Sequence, residues 1–227
     1  MSRLVLLPGG SGPPELVGGK AYGLQQLSRL GLNVPRWITV TTTAMSAPDM
    51  PWSPRFVRAL ERGLERLGTG RDVAVRSSAV GEDSSSNSYA GQLRTILNVD
   101  PRNVAAAVRD CWASAFAGPA VLYRQARGLD STPLRMAVVI QEMVDARVSG
   151  VAVTADPITG VPALIVTAGH GLGEGVVTDA VETQTYRRDL GAEQWQVEAG
   201  AGRILSDHEL AVLAAALQRV DQAAGCP

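Results

Sequence analysis

The stretch VAVRSSAVGEDSSSNSYAGQ, residues 73–92, constrains this chain more than any other. Val73–Val75 is an apolar run of β type, and Arg76, Ser77 and Ser78 follow it directly. Behind them comes a tail dense in Ser, Gly and Asn. A strand that carries a guanidinium and hydroxyls to the edge of a donor-rich loop is suited to holding phosphate. The guanidinium offers paired hydrogen bonds to phosphate oxygens, and small residues let backbone N–H groups approach an anion. The plainer reading of the same residues is a surface strand followed by a polar loop. The segments around it decide between the two.

At 227 residues the chain can form one large domain or two small lobes sharing a core. A hydrophobic content of 45% excludes a disordered chain, and with aromatics at 4% the core must be built mainly from Val, Leu, Ala and Ile. The net charge of −1 has no block of either sign behind it, so bulk charge points to neither a nucleic acid nor an acidic membrane. A local phosphate pocket remains compatible with it. Cys111 and Cys226 are far apart and have no nearby histidine, which argues against a metal site or disulfide framework and for reduced thiols. Leu4–Leu7 is too short for the core of a signal peptide, and no stretch approaches a membrane span. A cytoplasmic protein is expected.

Along the chain, Gly18-Gly19-Lys20 precedes a helical pattern with Leu24, Leu27 and Leu30 on one face, stopped by Gly31. Trp37–Thr41 reads as a strand. Residues 46–54 form a Pro-rich connector, and Ser53-Pro54 opens a helix to about Leu67 with Phe56, Val57, Leu60, Leu64 and Leu67 along its stripe. Arg94–Val99 is expected as a strand, and Asp100-Pro101 as the start of a helix to about Phe116. A second helix should follow Gly118-Pro119. Short strands are expected at Met136–Met143, Gly150–Thr154, Ala163–Thr167 and Thr183–Arg188, then a helix over 206–224 with Ser206 as N-cap and Glu209 closing a capping box. The pattern is a helix-rich first half, a strand-rich second half and a terminal helix. It predicts an α+β protein of two lobes, 1–134 and 135–227.

Several constellations bear on chemistry, and each has a plain reading beside the functional one. Lys20 stands at a helix mouth after two glycines, a position fit for clamping an anion or equally for a solvated lysine. Gly91, Gln92, Arg94 and Thr95 form an ordinary loop-to-strand junction or part of a ligand loop. Gln141, Met143 and Val144 end an apolar strand, as the connector beside an adenine base does, or simply as a buried strand does. Asp156 in TADPITG holds a turn through an Asx-type bond or offers a carboxylate. Glu174 sits in the glycine-rich GHGLGEG, which lets a ligand approach or merely joins two strands. His170 and His208 are given no catalytic role.

Taken in order, the blocks GGKAYGLQQLSRLGLNVPRWITVTTTA (18–44), VAVRSSAVGEDSSSNSYAGQLRTILNV (73–99), CWASAF (111–116), MAVVIQEMV (136–144), GVAVTADPITG (150–160) and GLGEGVV (171–177) resemble one family. It is the N-terminal ATP-binding domain of phosphoenolpyruvate synthase and pyruvate phosphate dikinase, shared by rifampin phosphotransferase. The resemblance implies an ATP-grasp fold whose two α+β lobes close on a nucleotide cleft. Carried over by position, it implies that Lys20 and Arg76 bind the ATP phosphates and act in catalysis. Gly91, Gln92 and Thr95 would belong to the loop that covers the phosphates. Gln141, Met143 and Val144 would line the adenine, and Glu174 would lie near the nucleotide. Phosphoryl transfer asks mainly for positioning and charge neutralisation, which agrees with those residue types.

The departures from the family are equally specific. The segment between the Thr41 and Arg76 strands is shorter than in family members, and Leu93 and Arg94 replace polar and acidic residues. After a stretch like 205–227 the family continues into an Asp-Ile-Glu-Trp block and a Gln-x-Arg-Pro strand that supply magnesium ligands and another arginine. This chain stops at Pro227. ATP with magnesium is the implied cofactor set, but the magnesium ligands are largely missing from the chain, so no metal residue is assigned. The implied function is an ATP-binding component that presents phosphate to a histidine on another chain, the partner carrying the phosphohistidine and acceptor domains. The alternatives are a degenerate module that binds a nucleotide or partner without catalysis, and a fragment of a longer dikinase or antibiotic phosphotransferase.

Overall fold

The fold is given by a computed structural model, which describes residues 3–45, 50–68, 70–81, 83–84, 87–88, 93–116, 134–200 and 202–224. The chain divides into two units, Met1–Met143 and Val144–Pro227. The first holds β1 (Val5–Leu6), α1 (Pro14–Arg29), β2 (Trp37–Val40), α2 (Pro54–Leu67), β3 (Val73–Ala79), the short pair β4 (Asp83–Ser84) and β5 (Asn87–Ser88), β6 (Thr95–Val99), α3 (Val104–Ser114) and β7 (Met136–Glu142). The second holds β8 (Val148–Ala155), β9 (Pro162–His170), α4 (Gly173–Val177), β10 (Thr183–Asp189), β11 (Gln196–Ala199) and α5 (Asp207–Ala224).

In the first unit the strands run β1-β2-β7-β3-β6, each neighbouring pair antiparallel. The sequence of β7 explains its central place. A strand paired on both edges and covered on both faces must be apolar throughout, and Met136–Ile140 are fully inaccessible. This corrects the expected boundary at 134/135. β7 hydrogen-bonds to β2 and β3, so the division falls after Met143. The first half is likewise not helix-rich, because a five-stranded sheet runs through it.

Alternation along the strands sorts residues onto two faces. Val73, Val75, Ile38, Val40, Met136, Val138 and Ile140 pack with α2 and α3 in a core that includes Phe56, Leu60, Leu67, Val104, Cys111 and Trp112. The few aromatics are concentrated here: the Phe56 ring lies 4.9 Å from Trp52 at 90° and 5.6 Å from Trp112. α2 starts where its residues dictate, with the Ser53 hydroxyl accepting from the Phe56 N–H at 3.2 Å and Gly68 ending it in the left-handed region. α3 follows a short 3₁₀ turn at Pro101–Asn103, set by the Asp100 carboxylate accepting from the Arg102 N–H at 2.8 Å. The helix expected after Gly118-Pro119 lies outside the described residues.

The opposite face is covered by α1, through Val17 and Ala21 against Trp37, Val139 and Leu6. As expected, a helical segment starts just after Gly18-Gly19 and carries Lys20 in its first turn, but an additional turn precedes it. A first turn starts at Pro14, whose fixed φ suits that position, and the helix breaks at Gly18 (φ 74, ψ 173) before running on to Arg29.

In the second unit the order is β11-β10-β9-β8, again antiparallel, with Val166, Ala168, Tyr186, Leu205 and Leu210 as its core. The expected capping box opens α5. The Ser206 N–H donates to Glu209 Oε2 at 2.8 Å, and the Glu209 N–H donates to Ser206 Oγ at 3.3 Å. The glycine-rich stretch read as a plain loop contains α4 instead. Gly171 makes the turn (φ 83), Glu174 falls in the first turn of the helix, and Val176 is buried. Among the described residues, β8 is paired along β9 only.

Candidate functional site

Arg76 lies in mid-β3, directly opposite Val139 on β7 and Thr95 on β6. Opposed residues share a face, so Thr95 and Arg76 stand on the same side of the sheet. Strand alternation adds Ala74, Ser78 and Gln141 to that side, which is the α1 side. Arg76 donates from Nη1 to Gln141 Oε1 at 3.1 Å, and Gln141 Nε2 donates to the Pro35 carbonyl at 3.2 Å. Gln141 is buried, and both ends of its amide are engaged. Ser77 points the other way, towards α3, where its Oγ is buried with no hydrogen-bond partner among the described residues.

Lys20 sits in the first turn after the break in α1. That break is where the helix meets β3. The Ser78 hydroxyl donates to the Val17 carbonyl at 2.8 Å and accepts from the Ala21 N–H at 3.1 Å. A Cβ on Gly18 would stand 2.0 Å from the Ser78 carbonyl oxygen, so only glycine allows the approach. The backbone that carries Lys20 is therefore fastened beside the strand that carries Arg76.

The other candidates are placed as follows. Met143 lies just beyond β7, its N–H donating to the Asp72 carbonyl at 3.3 Å. Thr95 is exposed at the start of β6. Val144, 52% exposed, is the first residue of the second unit, and Glu174 belongs to α4 of that unit. Gly91 and Gln92 lie outside the described residues. The structure thus gathers Arg76, Thr95, Gln141 and the Lys20 turn on one face of the first sheet. Ser78 was missed as a site residue. Its signal was available: two places after Arg76 on a strand, it must share the arginine's face.

Asp156 takes the plain reading. Its Oδ1 accepts from the N–H groups of Ile158 and Thr159 at 2.9 and 3.1 Å, and its Oδ2 accepts from Arg187 Nη1 at 2.8 Å. The Arg187 bond, then the two amides, hold its carboxyl at a pKa of about 2. Magnesium asks for several hard oxygen ligands in near-octahedral array. Among the described residues no group of three or more His, Cys, Asp or Glu side chains gathers, and Asp156 is engaged with Arg187. His170 and His208 are both exposed. A cavity of about 530 Å³ in the second unit, between β8 and α5, is lined by none of the candidate residues. No helix among the described residues is long and apolar enough to cross a membrane.

Two antiparallel α+β units, with a basic and polar sheet face in the first, agree with an ATP-grasp-like domain, and the family match gives the class of nucleotide-binding proteins. Residues 49–224 match the family described as pyruvate phosphate dikinase, AMP/ATP-binding domain, and the chain belongs to it. Lys20 lies ahead of that match. Among curated relatives, a rifampicin phosphotransferase of Streptomyces sviceus is 34% identical over 81% of this chain and 27% of its own length. A "probable phosphoenolpyruvate synthase" of Methanothermobacter thermautotrophicus is 36% identical over 93% and 41%. The prodigiosin synthesizing transferase PigC of Serratia marcescens is 36% identical over 78% and 22%. The chain thus spans between about a fifth and two fifths of these relatives.

Proposed function

We propose that this chain is the ATP-binding component of a phosphotransferase of the phosphoenolpyruvate synthase and pyruvate phosphate dikinase type. Lys20 and Arg76 hold the triphosphate, with Thr95 beside them. The observation that carries this reading is the joint at Ser78, which sets the Lys20 turn of α1 against the strand bearing Arg76. Two cations on one rigid face supply the charge neutralisation and positioning that phosphoryl transfer needs. The assignments of Gly91 and Gln92 to the covering loop, of Gln141, Met143 and Val144 to the adenine, and of Glu174 to the nucleotide's surroundings belong to the same proposal.

The transferable phosphate then goes to a histidine on another domain or chain, which is the proposed protein partner. Magnesium accompanies ATP in this proposal, and no step is derived through it. The acceptor is not set by this region, because the same region recurs in relatives whose names carry different compounds, rifampicin in one and phosphoenolpyruvate in another.

Isothermal titration of the full chain with MgATP, alone and with the candidate partner, tests the reading. Micromolar to millimolar binding, lost in Lys20→Ala and Arg76→Ala, is the expected result. No binding under either condition overturns it. A second reading, a module that binds nucleotide without turnover, is favoured by the engagement of Asp156 with Arg187. Partner-independent ATP hydrolysis that disappears in Lys20→Ala would eliminate that alternative.

A further inference from the structure

We propose that Ser78 is a positioning residue for the triphosphate site: it fixes the mouth of the main segment of α1, and with it Lys20, to the strand that bears Arg76. The inference rests on the reading of Lys20 and Arg76 as phosphate ligands. It adds a residue that touches neither phosphate nor base.

The N–H groups in the first turn of a helix have no partner within the helix, and a side chain at the N-cap normally accepts one of them. After the break in α1 that place is taken by Gly18-Gly19, which have no side chain to offer. Ser78 supplies the missing acceptor from a strand 57 residues further along the chain, taking the Ala21 N–H at 3.1 Å. The same hydroxyl donates to the Val17 carbonyl at 2.8 Å, so one oxygen spans both sides of the break. Ser78 is fully buried, which keeps water from replacing either bond. On the strand side, Gly18 packs so near the Ser78 carbonyl that a Cβ there would stand 2.0 Å from its oxygen.

Both cations hang from this joint. Lys20 precedes the capped Ala21, and Arg76 stands on the same face as Ser78, about 7 Å along β3. Loosening the joint moves one cation relative to the other. It leaves the strands, the core beneath α2 and α3 and Arg76 itself in place. The expected signature is therefore a loss confined to ligands that carry phosphate.

The test compares the full chain with Ser78→Ala, Ser78→Cys and Lys20→Ala. Titration with MgATP and with adenosine is combined with amide hydrogen exchange at Ala21 in the absence of nucleotide. Ser78→Ala is expected to weaken MgATP about tenfold, as loss of a buried cap does, and to speed exchange at Ala21 by about the same factor. Adenosine affinity should stay within about twofold, the scale of a contact that has not changed. Ser78→Cys keeps the size and a weak acceptor, so it should lie between; it carries the comparison if the alanine variant does not fold. Lys20→Ala should weaken MgATP while leaving Ala21 exchange as it was.

Proportional loss of MgATP and adenosine affinity in the Ser78 variants would mean general destabilisation and would overturn the inference. Unchanged MgATP affinity in them, alongside a loss in Lys20→Ala, would also overturn it while leaving the proposed function standing. An unmutated chain that binds no MgATP removes the proposed function, and this inference with it.

Discussion

Arg76 and Gln141 are joined across neighbouring strands, Nη1 to Oε1 at 3.1 Å, and Gln141 is tied in turn to the Pro35 carbonyl at 3.2 Å. The glutamine bridges the arginine to the segment that leads into β2. Its side chain was expected at the adenine, yet its amide is engaged at both ends. Its direct effect is to orient the guanidinium. A neutral acceptor suits that task, because it holds the cation without neutralising it.

Replacing Gln141 tests this directly. Gln141→Leu removes the acceptor and should weaken MgATP about three- to tenfold, the scale of a hydrogen bond to a charged group. Gln141→Glu places a carboxylate against the guanidinium, where it competes with phosphate, and should weaken MgATP further than leucine does. Isothermal titration of the two variants reads the order. A glutamate variant that binds MgATP as well as the unmutated chain would mean that Arg76 does not face phosphate.

The ion pair between Asp156 and Arg187 sets a pH dependence for the second unit. Arg187, and then the amides of Ile158 and Thr159, hold the Asp156 carboxyl at about 2 against an ordinary 3.8. A carboxyl whose folded pKa is depressed contributes stability that is fully present above its unfolded pKa and is lost as pH falls through the folded one. The contribution should thus be complete at neutral pH and disappear between about pH 4 and pH 2. Asp156→Asn keeps an oxygen for the two amides and removes the charge. The gap in melting temperature between the two proteins should be open at neutral pH and close across that window. A gap of constant size would assign the effect to the turn alone.

Much of this architecture was legible in the residues, and the failures have physical causes. Ser53-Pro54 and the Ser206/Glu209 box fixed helix starts because a cap is a local device whose partners lie within one turn. β7 was recognised as a strand, but its lobe was not, because a continuous apolar run states that a strand is buried without saying between which neighbours. α4 was hidden by its glycines, which lower helix propensity wherever packing does not override it. Here an added Cβ on Gly175 would stand 3.0 Å from Val181, so a larger residue would have to push that side chain aside. In the candidate site, Lys20 and Arg76 were legible as residue types at suggestive places. Strand alternation puts the Ser78 hydroxyl on the face of Arg76 but does not reveal its bonds to α1, since those partners are 57 and 61 residues away in sequence.

The Cys111 thiol is free and fully buried, facing the carbonyls of Val75 and Arg94 at 3.7 and 3.6 Å. Burial pushes its pKa up to about 12, against partial relief from the charge of Arg94. At neutral pH its thiolate fraction should be about a thousandfold below that of an ordinary cysteine. In a Cys226→Ser background the native chain should resist a thiol-directed reagent and react fully once unfolded in urea. Rapid labelling of the native protein would contradict the packing of α3 on β3.

Two glycines of α1 should respond to the same substitution with opposite signs. Gly18 has φ 74 and ψ 173, a region that residues with a Cβ scarcely enter, at a cost of about 1–3 kcal/mol. A Cβ there would also stand 2.0 Å from the Ser78 carbonyl oxygen and 2.5 Å from its Oγ, so strand and helix would have to part. Gly18→Ala should therefore cost at least about 2 kcal/mol and break the joint at Ser78. Gly23 lies inside the helix, and a Cβ added there meets nothing within 4 Å. Gly23→Ala should stabilise by roughly 0.5–1 kcal/mol, through helix propensity and reduced freedom of the unfolded chain. Urea unfolding of the two variants measures both shifts under one condition. Equal and small shifts would mean that α1 does not meet β3 through Gly18, and the attachment of Lys20 beside Arg76 would lose its basis.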